Sequence, residues 1–378
     1  MWKVPLFDLN FDERETKAVN SVLESKWLTS GQQTLSFEKK IADYLGENVM
    51  CCAVANGTAA LHMSLLVSDI KEGDEVIVSG LTFVAAVNAV SMVGAKPVLA
   101  DSKSFSDWNV SPQDIEKKIT SKTKAIIIVH YAGYPCDMDE IIRIVKKNNL
   151  LLIEDVAHAI GAEYKGKKCG TFGDIACFSF FSNKNLSTGE GGMFVAKDAK
   201  TDEQARLLRS HGMTSMTVER HEGKIISYDV VRPGLNYRFD EIKAAIGLVQ
   251  LEKLDESNRT RKTLVEKYCE ELSGIQDLII PWKNCSAEIL SSYHIFPLLL
   301  PVGVNRGELI TKLKDKGIQT SIHYPSIKKF KHYSQIGITA LPVADEISER
   351  VLTLPLYPTM QFKDVEFVAS ELKKILSP

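Results

Sequence analysis

The chain has 378 residues, 44% of them hydrophobic and 25% charged, with a formal net charge of −2. That length allows two domains, one large and one small, and that charge excludes the basic footprint of a nucleic-acid binder. Seven cysteines in so long a chain form neither a disulfide framework nor a metal-ligand spacing, and no apolar run approaches the ~20 residues of a membrane helix.

Residues 1–10 lack the basic flank and apolar core of a signal peptide, so a cytoplasmic protein with reduced thiols and no metal is expected. Residues 10–45 carry helical periodicity, interrupted by the turn-rich Trp27-Leu28-Thr29-Ser30-Gly31. From 50 to 200 the pattern alternates. Short apolar runs of strand character occupy 75–79, 97–101, 125–130, 150–155 and 175–179, with helical stretches at 58–66, 83–93 and 138–147. This alternation predicts an α/β fold: a mainly parallel sheet with helices on both faces. Ligands of such sheets sit at the carboxyl ends of the strands. An amphipathic helix is predicted over 240–262, where Ile242, Ala245, Ile246, Val249, Leu251 and Leu254 share one face. Beyond it a smaller α/β domain is expected, with a strand at 295–300 and helices at 306–316 and 363–376. The division so drawn is a large domain over 10–250 and a small one over 251–378.

The chemistry concentrates between 150 and 195. One strand ends in Glu154-Asp155, with His158 just beyond, and a second ends in Phe178-Ser179. Then come Ser182-Asn183-Lys184 and the glycine-rich Thr188-Gly189-Glu190-Gly191-Gly192. A carboxylate and a lysine that both follow strand ends can point into one crevice. A partly desolvated lysine has its amine form favoured, which suits Schiff-base chemistry. A carboxylate is what a pyridinium nitrogen needs opposite it, and a helix start with glycines and hydroxyls can hold a phosphate. On residue types alone, a solvated lysine and a capping aspartate are the readier explanation.

The order of the motifs separates the two readings. Lys26-Trp27-Leu28-Thr29-Ser30-Gly31, Asn56-Gly57-Thr58-Ala59-Ala60-Leu61, Gly73-Asp74-Glu75-Val76 and Leu81-Thr82-Phe83-Val84-Ala85 come first. His130-Tyr131-Ala132-Gly133, the block from 154 to 192, and Arg209-Ser210-His211-Gly212-Met213 follow. Last stand Gly234-Leu235-Asn236-Tyr237-Arg238, His323-Tyr324-Pro325 and Leu354-Pro355-Leu356-Tyr357-Pro358. In this sequence of motifs, over nearly its whole length, the chain resembles the DegT/DnrJ/EryC1/StrS family of sugar aminotransferases, a branch of the fold-type I pyridoxal-phosphate enzymes.

The resemblance implies a seven-stranded-type sheet and a pyridoxal 5'-phosphate cofactor. It implies that Lys184 forms the Schiff base and shuttles the proton, and that Asp155 pairs with the pyridine nitrogen. His158 stands where many members carry glutamine at the cofactor's phenolic oxygen, and histidine donates the same hydrogen bond. By the same resemblance Phe83 stacks on the cofactor, and Gly57, Thr58 and Ser179 bind its phosphate. Asn236 matches the residue that reaches the phosphate of the neighbouring subunit, which implies a homodimer with shared sites. Lys26, Trp27, Leu28, Thr29, His323 and Tyr324 match segments lining the sugar-nucleotide pocket, the first four on a loop suited to a lid. His130 and His211 are assigned to packing and backbone hydrogen bonds. The family's Pro-Thr-Lys is here Ser182-Asn183-Lys184, and its His-Leu-Tyr-Gly is His130-Tyr131-Ala132-Gly133.

The expected reaction is amination of a 3-keto or 4-keto nucleotide-sugar with glutamate as donor, by a ping-pong mechanism. A branch of the family that dehydrates deoxy-sugars replaces the lysine by histidine, which Lys184 argues against. A keto-cyclitol substrate, or a cofactor-binding regulator without turnover, are the other readings. A Rossmann dehydrogenase would show Gly-x-Gly-x-x-Gly after its first strand, and that pattern is absent.

Overall fold

A computed structural model describes residues 2–214, 227–334 and 340–376. Two helices open the chain, α1 (Glu13–Ser25) and α2 (Gln32–Leu45). The first is started by a capping box: Asp12 accepts from its first turn while Glu15 accepts the Asp12 N–H. Four strand–helix pairs and a fifth strand follow: β1 (Met50–Val54), α3 (Gly57–Val67), β2 (Glu75–Ser79), α4 (Val84–Met92), β3 (Lys96–Ala100), α5 (Pro112–Lys118), β4 (Thr123–Val129), α6 (Met138–Asn148) and β5 (Leu151–Asp155). After the short strands β6 (Glu163–Tyr164) and β7 (Lys167–Lys168) come β8 (Ile175–Ser179), β9 (Gly192–Ala196) and α7 (Ala199–Arg209).

The main sheet has seven strands in the order β1-β9-β8-β5-β4-β2-β3. Only β9 runs antiparallel to its neighbours, β1 and β8; β2, β3, β4, β5 and β8 pair in parallel. Alternation along each strand sends side chains to opposite faces. Val76, Val78, Ala125, Ile127 and Ile153 pack with Ala60, Met63, Ala86 and Val90 of α3 and α4. Ile77, Ile126, Ile128 and Leu152 pack with Ile141 and Ile144 of α6. Both faces are thus covered, which is why these strands read as unbroken apolar runs.

The α/β class and parallel sheet agree with the sequence reading. The strands β1 and β9 were not anticipated. β1 is five residues long and runs almost directly into a helix, and β9 starts at Gly192 inside a glycine-rich run that reads as loop. The amphipathic helix is longer than expected: α8 spans Glu241–Glu271, 31 residues. Its stripe changes partner midway. Ala244 and Leu254 face the α2 side of the sheet, while Leu264, Val265 and Tyr268 enter a second core. That second core gathers the antiparallel pair β11 (Phe296–Leu299) and β12 (Val351–Leu354), α9 (Arg306–Asp315) and α11 (Phe362–Leu376). Here β10 (Ile289–Leu290) is the short strand before β11, and α10 (Pro342–Arg350) the helix before β12. Val4 joins the same core, and its neighbour Lys3 donates to the Gly317 carbonyl at 2.9 Å. No helix among the described residues is long and apolar enough to cross a membrane.

Candidate active site

Three chain segments meet at the carboxyl edge of the sheet because β9 is wedged between β1 and β8, pairing Gly192 with both Val54 and Ser179. The approach is close enough to demand glycine. A Cβ on Gly57 would lie 2.9 Å from that of Ser179, and one on Gly192 would lie 2.5 Å from the Asn56 carbonyl carbon. Asn56 caps α3 by accepting the Ala59 N–H at 2.8 Å. The Gly57 and Thr58 N–H groups come first in the helix, with no carbonyl ahead of them to bond, so they suit an anion.

These segments open onto a cavity of about 450 Å³. Gly57, Thr58, Phe83, Asp155, His158, Ser179 and Lys184 all line it, as do His323 and Tyr324 from between α9 and α10. Residues separated by 267 positions (324 − 57) in the sequence therefore share one wall-to-wall space. Phe83 is 56% exposed, so its ring stands in the cavity rather than in the core. Tyr324 is its aromatic neighbour, with centroids 5.6 Å apart. Thr82, Phe181, Asn183 and Glu190 line the cavity as well, and their membership of the quoted motif blocks is the signal that flags them.

The remaining expected residues lie elsewhere. Lys26, Leu28 and Thr29 are exposed, Trp27 is half-buried, and none of the four lines the cavity. Their loop is tied down. Glu241 accepts from the Gly31, Gln33 and Thr34 N–H groups, each at 2.8 Å, and from the Thr34 hydroxyl at 2.7 Å. Its own N–H donates to the Leu28 carbonyl, and the Ser30 hydroxyl donates to the Phe239 carbonyl. Asn236 is exposed, bridged to Ser210, and also outside the cavity. The loop and Asn236 thus border the same stretch, 236–241. His130 is structural, paired with buried Glu154 at 3.0 Å and accepting the Cys136 N–H. His211 is exposed, and its N–H donates to the Leu235 carbonyl.

Burial sets the protonation states. It drives the Lys184 ammonium down to about 8, against a pull upward from Asp155. It raises the Asp155 carboxyl, opposed by the Ala157 N–H bonded to Oδ1 at 3.0 Å and by Lys184. Burial and then Lys184 hold His158 well below its ordinary value. His158 is therefore neutral. Its Nδ1 accepts the Ala132 N–H at 3.3 Å, which leaves Nε2–H to face the Tyr324 hydroxyl at 2.8 Å. Burial also takes His323 down to about 4. The result is a poised amine, a carboxylate and a cluster of neutral imidazoles around one cleft, a pattern typical of reacting sites.

A model of the DegT/DnrJ/EryC1/StrS aminotransferase family matches residues 10–373. The chain belongs to that family. This sugar aminotransferase is 36% identical over 375 residues to GDP-perosamine synthase of Escherichia coli O157:H7, with 99% of each chain covered. Among solved structures, DesV of S. venezuelae superposes with a TM-score of 0.91 at 30% identity, covering 100% of both chains. Spr1654 of Streptococcus pneumoniae in its PLP form gives 0.90 at 28% identity, over 100% of this chain and 98% of that one.

Proposed function

We propose that the aminotransferase holds pyridoxal 5'-phosphate in the 450 Å³ cavity and uses it to move an amino group from glutamate to a nucleotide-linked 3-keto or 4-keto sugar. The observation that carries this reading is the convergence of Lys184, Asp155 and the glycine-built start of α3 on one cleft at the strand ends. When bound, that cofactor supplies an aldehyde carbon for amine exchange and a cationic ring that draws electrons from the reacting carbon.

The chain's own residues divide the remaining work. The Gly57 and Thr58 N–H groups and the Ser179 hydroxyl hold the phosphate. Asp155, ionised, would pair with the ring nitrogen and keep it protonated. His158 Nε2–H, which Tyr324 shares, would donate to the phenolic oxygen, and Phe83 would cover the ring face. Lys184 offers the amine that links to the cofactor and, once released, takes and returns the proton at the reacting carbon. His323 and Tyr324 close the substrate side. Asn236 and the loop of Lys26, Trp27, Leu28 and Thr29 share a surface outside this cavity, which supports a homodimer in which they complete the partner's site.

The sign of the pH dependence follows from Lys184, whose ammonium sits near 8. Below that value the amine is protonated and covalent loading slows about tenfold per pH unit; above it loading levels off. Absorption spectra of the loaded protein before and after glutamate test the first half-reaction. A yellow band that glutamate removes and a keto-sugar nucleotide restores supports the reading, and so do parallel double-reciprocal lines. Sedimentation combined with assay tests the shared site. A monomer with full activity would overturn that part.

A further inference from the structure

His294 was absent from the sequence reading, and it is the group nearest the Lys184 amine among the hydrogen bonds of the structure, with Nε2 at 3.4 Å from Nζ. It is 2% exposed and does not line the main cavity, so it stands behind the lysine. A chain of hydrogen bonds fixes which ring nitrogen carries the proton. Asn258 Nδ2 donates to the Ile160 carbonyl at 3.1 Å, which leaves its Oδ1 to accept from Asn185 Nδ2 at 2.7 Å. Asn185 Nδ2 also donates to the Ser292 carbonyl at 2.7 Å. The Asn185 amide is thereby oriented, and its Oδ1, 2.9 Å from His294 Nδ1, accepts a hydrogen bond from an N–H on that nitrogen. The lone pair is left on Nε2, facing Lys184.

We propose that His294 is a positioning residue for Lys184, accepting a hydrogen bond from the amine so that its remaining valences point into the cavity. The inference rests on Lys184 being the reacting lysine. Neutral imidazole is required, and the surroundings enforce it. Burial, then Lys184, His158, Arg261 and His323, hold His294 well below its ordinary value. Arg261, 3% exposed on α8, donates to the His294 carbonyl at 3.1 Å and fixes the backbone there. Asp155 and Tyr324 are the other titratable groups packed around the lysine side of the cleft. An amine held from behind needs no search to meet an incoming carbonyl, and a poised near-attack geometry is a large part of such rate enhancement.

An acceptor favours the ammonium, because a hydrogen bond to a charged donor is stronger than to a neutral one. Its removal lowers the amine's midpoint. The test is acetic anhydride labelling of the cofactor-free protein as a function of pH, with the peptide bearing residue 184 quantified by mass spectrometry. Wild type is expected to half-label near pH 8. His294→Leu, and Asn185→Leu, which frees the ring to turn, are expected to fall by about one pH unit, a tenfold loss of proton affinity. His294→Gln, which restores an acceptor with a donor behind it, returns the midpoint to within a few tenths of wild type by the same reasoning. Midpoints of His294→Leu and Asn185→Leu equal to wild type overturn the proposal. If His294→Leu does not fold, Asn185→Leu against His294→Gln decides it by the same criterion. Failure of pyridoxal phosphate to protect Lys184 from the label would instead remove the cofactor assignment and leave the His294 contact standing.

Discussion

The cleft has two walls of different origin. One is built from strand ends: Gly57 after β1, Asp155 at the end of β5, Ser179 at the end of β8, and Lys184 on the return to β9. The other comes from connections of the C-terminal part, where His323 and Tyr324 follow α9, with His294, just before β11, standing behind the cleft. On the first wall, position follows from local pattern, since a parallel strand must deliver its last residue to the ligand edge. On the second, position follows from tertiary contacts between segments far apart in the chain. The sheet wall supplies the reacting groups and one neutral imidazole, His158, and the C-terminal part supplies two more, His294 and His323. Chemistry and much of its positioning are thus carried by stretches far apart in the chain.

Each wall has a brace, and removing it tests how independent the two are. Glu38 on α2 accepts the Ala53 N–H at 2.8 Å and pairs with Arg206 at 2.8 Å and Arg209 at 2.6 Å, locking β1 and hence the Gly57 turn. Glu38→Ala leaves Arg209 buried without its carboxylate, and unfolding should be easier by about 3–5 kcal/mol, readable by urea denaturation. Burial pushes the Glu38 carboxyl up, and Arg209 and Arg206 more than reverse it. Its contribution is therefore complete above the ordinary value of 4.5 and fades as pH falls through the lowered one.

Next in size is Asp155→Asn, which keeps shape and removes charge. Turnover should drop about 10²–10³-fold while the thermal midpoint holds or rises, since a desolvated carboxylate is gone. Arg261→Lys tests the second wall's brace. Arg261 Nη1 donates to the carbonyls of His294 at 3.1 Å and Leu356 at 2.9 Å, and a lysine keeps the charge without the fork. A loss of about 1–3 kcal/mol is expected, with KM rising more than kcat falls. Smallest is Tyr324→Phe, which deletes the 2.8 Å bond to His158 and spares the ring contact with Phe83. About 0.5–1.5 kcal/mol, a few-fold in KM, is expected. If Arg261→Lys instead changed kcat as strongly as Asp155→Asn, the division of labour between the walls would be wrong.

The same contrast explains what the sequence made legible. Asp155, Ser179 and Lys184 stood beside apolar runs whose ends point to a ligand edge, and motif order did the rest. Lys26, Trp27, Leu28, Thr29 and Asn236 carry motif signals too, yet they lie outside the cavity, because a motif match marks a resemblance without saying where in the fold the residue stands. His294 carried no local signal at all. Ser291-Ser292-Tyr293-His294 reads as a polar stretch before a strand, and its importance depends on Asn185, Asn258 and Lys184, up to 110 positions away. β9 was lost for a related reason. Gly192 serves the close approach of β9 to the Asn56-Gly57 turn after β1, a demand invisible until β1 and β9 are neighbours.

The central claim is that Lys184 is the amine that carries the cofactor. Pyridoxal phosphate is added to wild type and to Lys184→Ala, the mixture is reduced with borohydride, and the peptides are mapped by mass spectrometry. The account predicts one reduced adduct per chain, on the peptide bearing residue 184, absent from the variant and formed faster as pH rises toward 8. An adduct on another lysine that persists in Lys184→Ala, or no stoichiometric adduct in wild type, would contradict it.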